Sequence, residues 1–346
     1  EPAAAPAAVA IAPRMIANAQ SAAVFISEWD ATPDRVWPGP EYWSNPLQDW
    51  RIAGGRLECT QAATGRNVHI LTRELSGSQG TLELNVEVGR VDDGAISNGR
   101  GSVGFTVGIR GPLKDYRNSL IFGTGLDAGL RANGELFIGM GQGAASVKVP
   151  LDSSEVELRL RAEPAGTAYI VKLEALDAKD RRVLGSVEKS GIPAERLVGN
   201  IRLTANFGPA RPRQGRNQGD NADRWWFRAL RIGGTKVTAH PERAFGPIYF
   251  AQYTIHRGTL RLTGQLPPLG PQDAQSVRLQ FQRDGQWQNA AEAPIHRLAR
   301  TAMFRIEGWN AQERVSYRLV YSLRRSDGTA AECHFDGEIR PQPREQ

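Results

Sequence analysis

The sequence predicts an all-β protein built as two β-sandwiches in tandem. Three observations carry that prediction. Apolar residues recur at every second position in short segments running from Arg56 to Ile339, the period of a strand with one buried face. Glycine-centred turn signals such as Ala53-Gly54-Gly55, Ala132-Asn133-Gly134 and Gly233-Gly234 separate the segments. The pattern breaks at residues 238–247, Thr238 to Pro247, where a boundary is expected, and helical periodicity is scarce throughout.

At 346 residues the chain is long enough for two domains with a core each. A hydrophobic content of 40% and a charged content of 23% indicate a globular protein and argue against global disorder. The formal net charge of +6 is spread evenly, with 29 Lys/Arg against 26 Asp/Glu before residue 240 and 14 against 11 from there on. Nucleic-acid binders concentrate positive charge in one footprint, so no nucleic-acid partner is expected. Most basic residues are Arg, which reads as compositional bias. No apolar run approaches the roughly 18–20 residues that span a bilayer.

Residues 1–20 read as a flexible Ala/Pro-rich lead. The Ala/Pro start, Glu1-Pro2-Ala3-Ala4-Ala5-Pro6, resembles the tail left by a removed signal peptide, so a secreted, periplasmic or extracellular location is expected. Residues 21–237 form the first sandwich. Thr81-Leu82-Glu83-Leu84-Asn85-Val86-Glu87-Val88 is its cleanest strand, with the aliphatic set on one face and Glu83, Asn85 and Glu87 on the other. Val103-Gly104-Phe105-Thr106-Val107-Gly108-Ile109 alternates with glycines on one side, which predicts close sheet approach or a surface left open for a ligand. Strands follow at Leu136–Ile138, Val156–Leu160, Tyr169–Ala175, Ile201–Asn206 and Trp226–Ile232. In Trp225-Trp226 one indole should face in and the other out.

Residues 238–247 serve as linker. Residues 248–340 form the second sandwich, of the size usual for an immunoglobulin-like domain, and residues 341–346 read as a Pro-containing linker toward a further domain. Trp309 and Tyr317 have the spacing of a corner where a tryptophan plugs the core and a tyrosine hydroxyl bonds back to the backbone. Both are expected to be structural.

Chemistry-bearing patterns are sparse. Cys59 and Cys333 are far apart and read as buried free thiols. None of His69, His240, His256, His296 and His334 has the spacing of a local zinc site. Gly-x-Ser-x-Gly is absent. Gly139-Met140-Gly141-Gln142-Gly143 precedes no helix and reads as a turn, not a phosphate cradle. Asp92-Asp93-Gly94 is a candidate for structural calcium, or an ordinary solvated turn.

Several segments point to a family. Tyr42–Arg51, Arg66–Thr72, Asp115-Tyr116-Arg117 with Gly123–Gly129, Ala244–Ile248 and Leu260–Pro268 resemble the N-terminal region of secreted metallophosphatases similar to alkaline phosphatase D. The resemblance spans roughly residues 21–343. It implies a concanavalin/laminin-G-like jelly roll, then a fibronectin-III-like sandwich, then a metallophosphatase core as a partner in cis. No block here matches that core's Asp, His and Asn metal ligands, so no catalytic residue and no cofactor is carried over. Calcium is common in laminin-G-like domains.

The expected function is that of a non-catalytic accessory region that binds glycan or cell-surface polymer. Sugars stack their C–H faces on aromatic rings while nearby polar groups take the hydroxyls. Trp37, Tyr42, Trp43 and Trp50 supply rings, unless they pack the N-terminal strand onto the sandwich, and Asp49, Arg51 and Asn67 supply polar groups. His69, between Val68 and Ile70, faces away from the core and is a candidate groove residue. Asp115, Tyr116 and Arg117 sit in a loop after a strand, where binding groups concentrate. Two alternatives stand beside this reading. One is a jelly-roll glycoside hydrolase with paired carboxylates, the candidates being Glu58, Glu83 and Glu87. The other is a purely structural pair of spacer domains.

Overall fold

The computed structural model describes residues 24–92, 100–113, 115–151, 154–208 and 223–343. The expected lead at 1–20, Asp93 and Gly94 of the calcium candidate, and the last three residues of the C-terminal linker lie outside the described residues. The protein is all-β, with antiparallel sheets throughout, and divides into two compact units.

The first unit comprises residues 24–30 and Glu41–Ala244. It is a sandwich of two eight-stranded sheets. The first sheet runs, in spatial order, Val183–Pro193, Ala168–Asp177, Glu155–Ala165, Leu82–Arg90, Trp225–Gly233, Arg56–Cys59 and Trp50–Ala53, with Phe25–Ile26 paired to Trp225–Gly233. The second runs Ala145–Lys148, Glu135–Ile138, Thr124–Arg131, Ser102–Arg110, Gly199–Ala205, Arg66–Leu75 and Val237–Ala239, with Tyr42–Asn45 paired to Arg66–Leu75. Alternation sets the core. Leu82, Leu84, Val86 and Val88 of the first sheet pack with Val68, Ile70, Phe105, Val107, Ile201 and Leu203 of the second. Burial of such residues stabilises by about 1.5–3 kcal/mol each and drives the two sheets together.

The other face of the first sheet is a ladder of ion pairs. Glu83 meets Arg161, Glu87 meets Arg228, and Glu58 lies between Arg51 and Arg56. The carboxylate of Glu58 is buried beneath its two arginines, whereas the Glu83–Arg161 pair is exposed and of the kind worth about 0.2–1 kcal/mol. Trp225 turns into the core, and Trp226 turns onto this face, where Arg56 and Arg228 cover its ring at 5.1 and 5.3 Å. Both indoles are therefore buried although they point to opposite sides.

The glycines of Ser102–Arg110 do not leave open space. A Cβ on Gly104 would lie 2.3 Å from the Ala128 carbonyl oxygen, and one on Gly108 would lie 2.0 Å from that of Arg196. They mark close backbone approach. The Gly139–Gly143 turn joins the hairpin strands Glu135–Ile138 and Ala145–Lys148.

The second unit comprises Ala31–Pro40 and residues 245–343. Its sheets are Phe250–His256, Thr259–Gln265, Thr301–Ile306 and Gln286–Pro294, Ser276–Arg283, Val315–Arg324, Ala330–Ile339. This is a seven-stranded sandwich of three strands against four. Residues 31–40, which carry no strand pattern, belong to this unit: Trp37 joins its core, and Arg35 forms a buried ion pair with Asp273 at 2.8 Å. Trp309 does plug the core, packed on Phe281 at 5.1 Å. The hydroxyl that bonds back to the backbone is that of Tyr321, which donates to the Ala274 carbonyl at 3.0 Å. Tyr317 instead fills the core against Gly337.

Candidate functional site

The outer face of the second sheet in the first unit is polar and, at its centre, buried. Val68 and Ile70 point into the core, so Asn67, His69 and Leu71 point out, and the same alternation turns Arg202 and Thr204 outward between Ile201, Leu203 and Ala205. Strand register then sets one row of side chains across five strands: Trp43 opposite His69, His69 opposite Arg202, Arg202 opposite Thr106, and Thr106 opposite Asp127. At about 4.8 Å per strand the row extends about 19 Å.

Burial grades along the row. His69 and Thr106 are wholly buried and form its floor, whereas Trp43, Arg202 and Asp127 keep part of their surface. Thr106 donates to Asp127 at 2.6 Å, and its hydroxyl lies 3.1 Å from that of Thr204. Trp43 Nε1 donates to Asn45 at 2.9 Å, and Asn45 Nδ2 donates to Asn67 at 3.2 Å. Trp43, Asn67 and His69, each expected from sequence to meet a ligand, thus lie together on one face.

His69 and Arg202 on that face carry atoms without a hydrogen-bond partner. Both ring nitrogens of His69 are buried without a hydrogen-bond partner, as is Arg202 Nε. Among the described residues Arg202 makes no ion pair and no side-chain hydrogen bond. Burial pushes the His69 pKa well below the usual imidazole range, and the nearby guanidinium of Arg202 pushes the same way, so the ring is neutral. Burial raises the Asp127 pKa, against the hydrogen bond from Thr106 and the positive charges of Arg202 and Arg196.

The helix Tyr116–Phe122 lies over this face. Its Leu120 carbonyl accepts from Asn45 Nδ2 at 2.6 Å, and its Tyr116 carbonyl accepts from Asn200 Nδ2 at 3.1 Å. Asp115 caps it, accepting from the Arg117 amide at 2.8 Å. No helical signal is visible here in the sequence, because seven residues show too little of a 3.6-residue period. The Arg117 guanidinium holds the Asp115 carboxyl below its ordinary pKa, and Arg243 stacks on Tyr116 at 4.4 Å. A cleft of about 560 Å³ opens beside the helix, lined by Asp115, Tyr116, Ser119, Asn200, Arg110 and Arg243 among others. Ile121 and Phe122 project from the helix into solvent.

The remaining sequence candidates lie elsewhere. Trp50 is wholly buried in the core against Phe227, so its ring cannot meet a ligand. Tyr42 also turns inward, and Trp37 belongs to the second unit's core. Arg51 pairs with Glu58 on the opposite sheet. Asp49 is bound by Arg66 at 2.9 Å. Sequence proximity misleads for Trp50 because the chain crosses from the second sheet to the first between Trp43 and Trp50, through the single turn Leu47–Asp49.

Nor do the hydrolase candidates converge on a cleft. Glu58, Glu83 and Glu87 each pair with arginine on the ladder face. Among the described residues no group of three or more His, Cys, Asp and Glu is placed to hold a metal ion. Asp92 is taken by Arg224. Cys59 is buried, Cys333 half-buried, and both are free. Burial pushes both thiols up to about 11, which leaves them unreactive at neutral pH. No helix among the described residues is long and apolar enough to cross a membrane.

No family model matches the chain, and no curated protein matches it. Among solved structures it is similar to lectin II from Ulex europaeus, at 8% identity and a TM-score of 0.41, over 62% of this chain and 99% of that one. It is also similar to the Emp47p carbohydrate recognition domain, at 15% identity and 0.37, over 60% and 96% of the two chains. The VIP36 exoplasmic/lumenal domain in metal-free form gives 9% identity and 0.38, over 63% and 96%. Likeness at this level lends no weight to a shared ligand.

Proposed function

We propose that the first sandwich binds glycan on the outer face of its second sheet, in the row from Trp43 to Asp127. One observation carries the reading. A row in which Trp43, Arg202 and Asp127 keep exposed surface, with His69 and Thr106 buried between them, crosses five strands on a face that is not the core, and Arg202 has hydrogen-bonding capacity left over. Among the described residues the part-exposed Arg202 guanidinium has no protein acceptor, which leaves it for a partner that brings its own acceptors. A sugar does so, and offers an apolar C–H face for Trp43 as well.

Emp47p is described as a carbohydrate recognition domain, and VIP36 has been solved with Man3GlcNAc and calcium. Glycan binding by this chain stands on its own row of groups and not on those likenesses. A role as accessory region for a metallophosphatase core in cis is the finer part of the proposal. It rests on the motif resemblance alone. Structural calcium likewise belongs to that resemblance.

The test is retention of the chain on a panel of immobilised polysaccharides. Binding to at least one polymer is expected, with Trp43→Ala and Asp127→Ala each weakening it roughly tenfold, the scale of one lost stacking or charge-assisted contact. Failure to bind any polymer sinks the proposal.

A further inference from the structure

We infer that the ligand of this face is an acidic glycan, and that Arg202 holds its carboxylate. The inference rests on the glycan reading and narrows it to a class. It starts from an imbalance of charge. Much of the arginine elsewhere in the first unit is spoken for: Arg51, Arg56, Arg66, Arg159, Arg161, Arg181, Arg228 and Arg243 each have a carboxylate within ion-pair distance. Arg202 has none, although its Nε is enclosed and it sits in mid-sheet where water is scarce. Asp127 lies two strands away in the same row, beyond ion-pair distance, and is already engaged by Thr106.

A guanidinium held this way is a fork of donors with no acceptor. A planar carboxylate fits the fork with two parallel hydrogen bonds. His69, one strand away, is wholly buried and neutral, so it brings no charge that competes for the carboxylate. On the far side of Arg202, the part-exposed Asp127 suits ring hydroxyls. Trp43 closes the near end with an aromatic surface. The row therefore suits a uronate-containing chain more than one residue long, with a carboxylate at Arg202, a ring face toward Trp43 and hydroxyls toward Asp127. A neutral sugar would leave the guanidinium without a carboxylate at ion-pair distance.

Affinity electrophoresis of the full chain separates this inference from the reading beneath it. Gels carry polygalacturonate, alginate or neutral dextran and galactomannan. The expected result is retardation by an acidic polymer, weakened at least tenfold by Arg202→Gln and only partly restored by Arg202→Lys, because lysine lacks the fork. Arg314→Gln, which removes an equal charge from an exposed site on the second unit, is the control for bulk attraction by a chain of net charge +6. If R314Q weakens retardation as much as R202Q does, the attraction is general and the inference falls. Retardation by neutral polymers alone also overturns it and leaves glycan binding standing, whereas retardation by no polymer removes both. A melting temperature for R202Q equal to or above that of the parent shows that lost retardation is not lost fold. A clear fall marks Arg202 as structural and counts against the inference. Monomeric galacturonate, but not galactose, should shift the imidazole resonances of His69.

Discussion

At the level of single residues, His69 shows how far a strand pattern carries. Its place between Val68 and Ile70 is enough to turn it from the core. Nothing local shows that the face it turns to is itself buried, or that Arg202 is its neighbour, since that depends on a register set 133 positions along the chain. Arg202 alternates with Ile201 and Leu203 as any solvated arginine would, and an arginine-rich composition hides it further. The burial has a consequence for stability. A histidine whose folded pKa is depressed binds its proton only after unfolding, so stability is full above the unfolded value near 6.5 and falls as pH drops below it. Asp127, raised by burial, has the opposite sign: its share is greatest below the unfolded carboxyl pKa and is lost as pH rises through the folded one. Between about pH 6 and pH 5 the histidine contribution has a slope approaching about 1.4 kcal/mol per pH unit. His69→Gln should remove that share, so urea melts of H69Q are expected to depend less on pH in this window than those of the parent. An unchanged pH dependence would mean that the ring is accessible to protons in the folded state.

Elements add what residues cannot. The 102–110 strand is readable as a strand, but its bend is not. Gly108 adopts φ 65°, and pairing with Thr124–Arg131 slips between Val107 and Arg110. That bulge brings Ile109 against Gly123 and Gly125, where an added Cβ would lie 2.4 and 2.9 Å from its side chain, so the bulge seats the end of the Tyr116–Phe122 helix. A helix of seven residues has no stability of its own. It depends on Asp115 at its start and on the two asparagine side chains, Asn45 and Asn200, that reach its carbonyls. These tethers set Leu120 beside Asn45 and Asn67, and Tyr116 beside Asn200, although sequence places Asp115 and Tyr116 in an isolated loop. Gly108→Ala should therefore cost more than backbone strain alone. The new methyl meets the Arg196 carbonyl oxygen, and φ stays in the left-handed region. A loss of about 1–3 kcal/mol is expected in denaturant unfolding, with faster amide exchange in residues 116–122. Parent-like stability for G108A would show that the strand relaxes without the bulge.

On the scale of the whole chain, the division into two sandwiches follows from composition and strand spacing, but the path between them does not. The chain leaves the first unit after Asp30, contributes Ala31–Pro40 to the second, and returns at Glu41. Residues 31–40 have neither alternation nor a long apolar run, so no sequence pattern marks the excursion. What fixes them is a buried polar clamp. Arg35 Nη1 meets Asp273 at 2.8 Å, Arg35 Nε donates to the Trp37 carbonyl at 3.1 Å, and the second Asp273 oxygen accepts from the Gly270 amide at 2.8 Å. Gly270 must be a glycine for this approach, since a Cβ there would lie 2.0 Å from the Asp34 carbonyl oxygen. Removing one member of such a pair leaves the other charge buried and alone, at a cost of about 3–5 kcal/mol. Asp273→Ala should therefore lower the stability of the second unit by that order and release Trp37 from its slot, seen as a red shift of tryptophan emission ahead of the main transition. Replacing both partners, as in Arg35→Met with Asp273→Leu, should recover most of the loss, because no lone charge remains. If D273A unfolds like the parent, the clamp is not what holds residues 31–40, and the apolar contact of Trp37 with the second core must carry the attachment by itself.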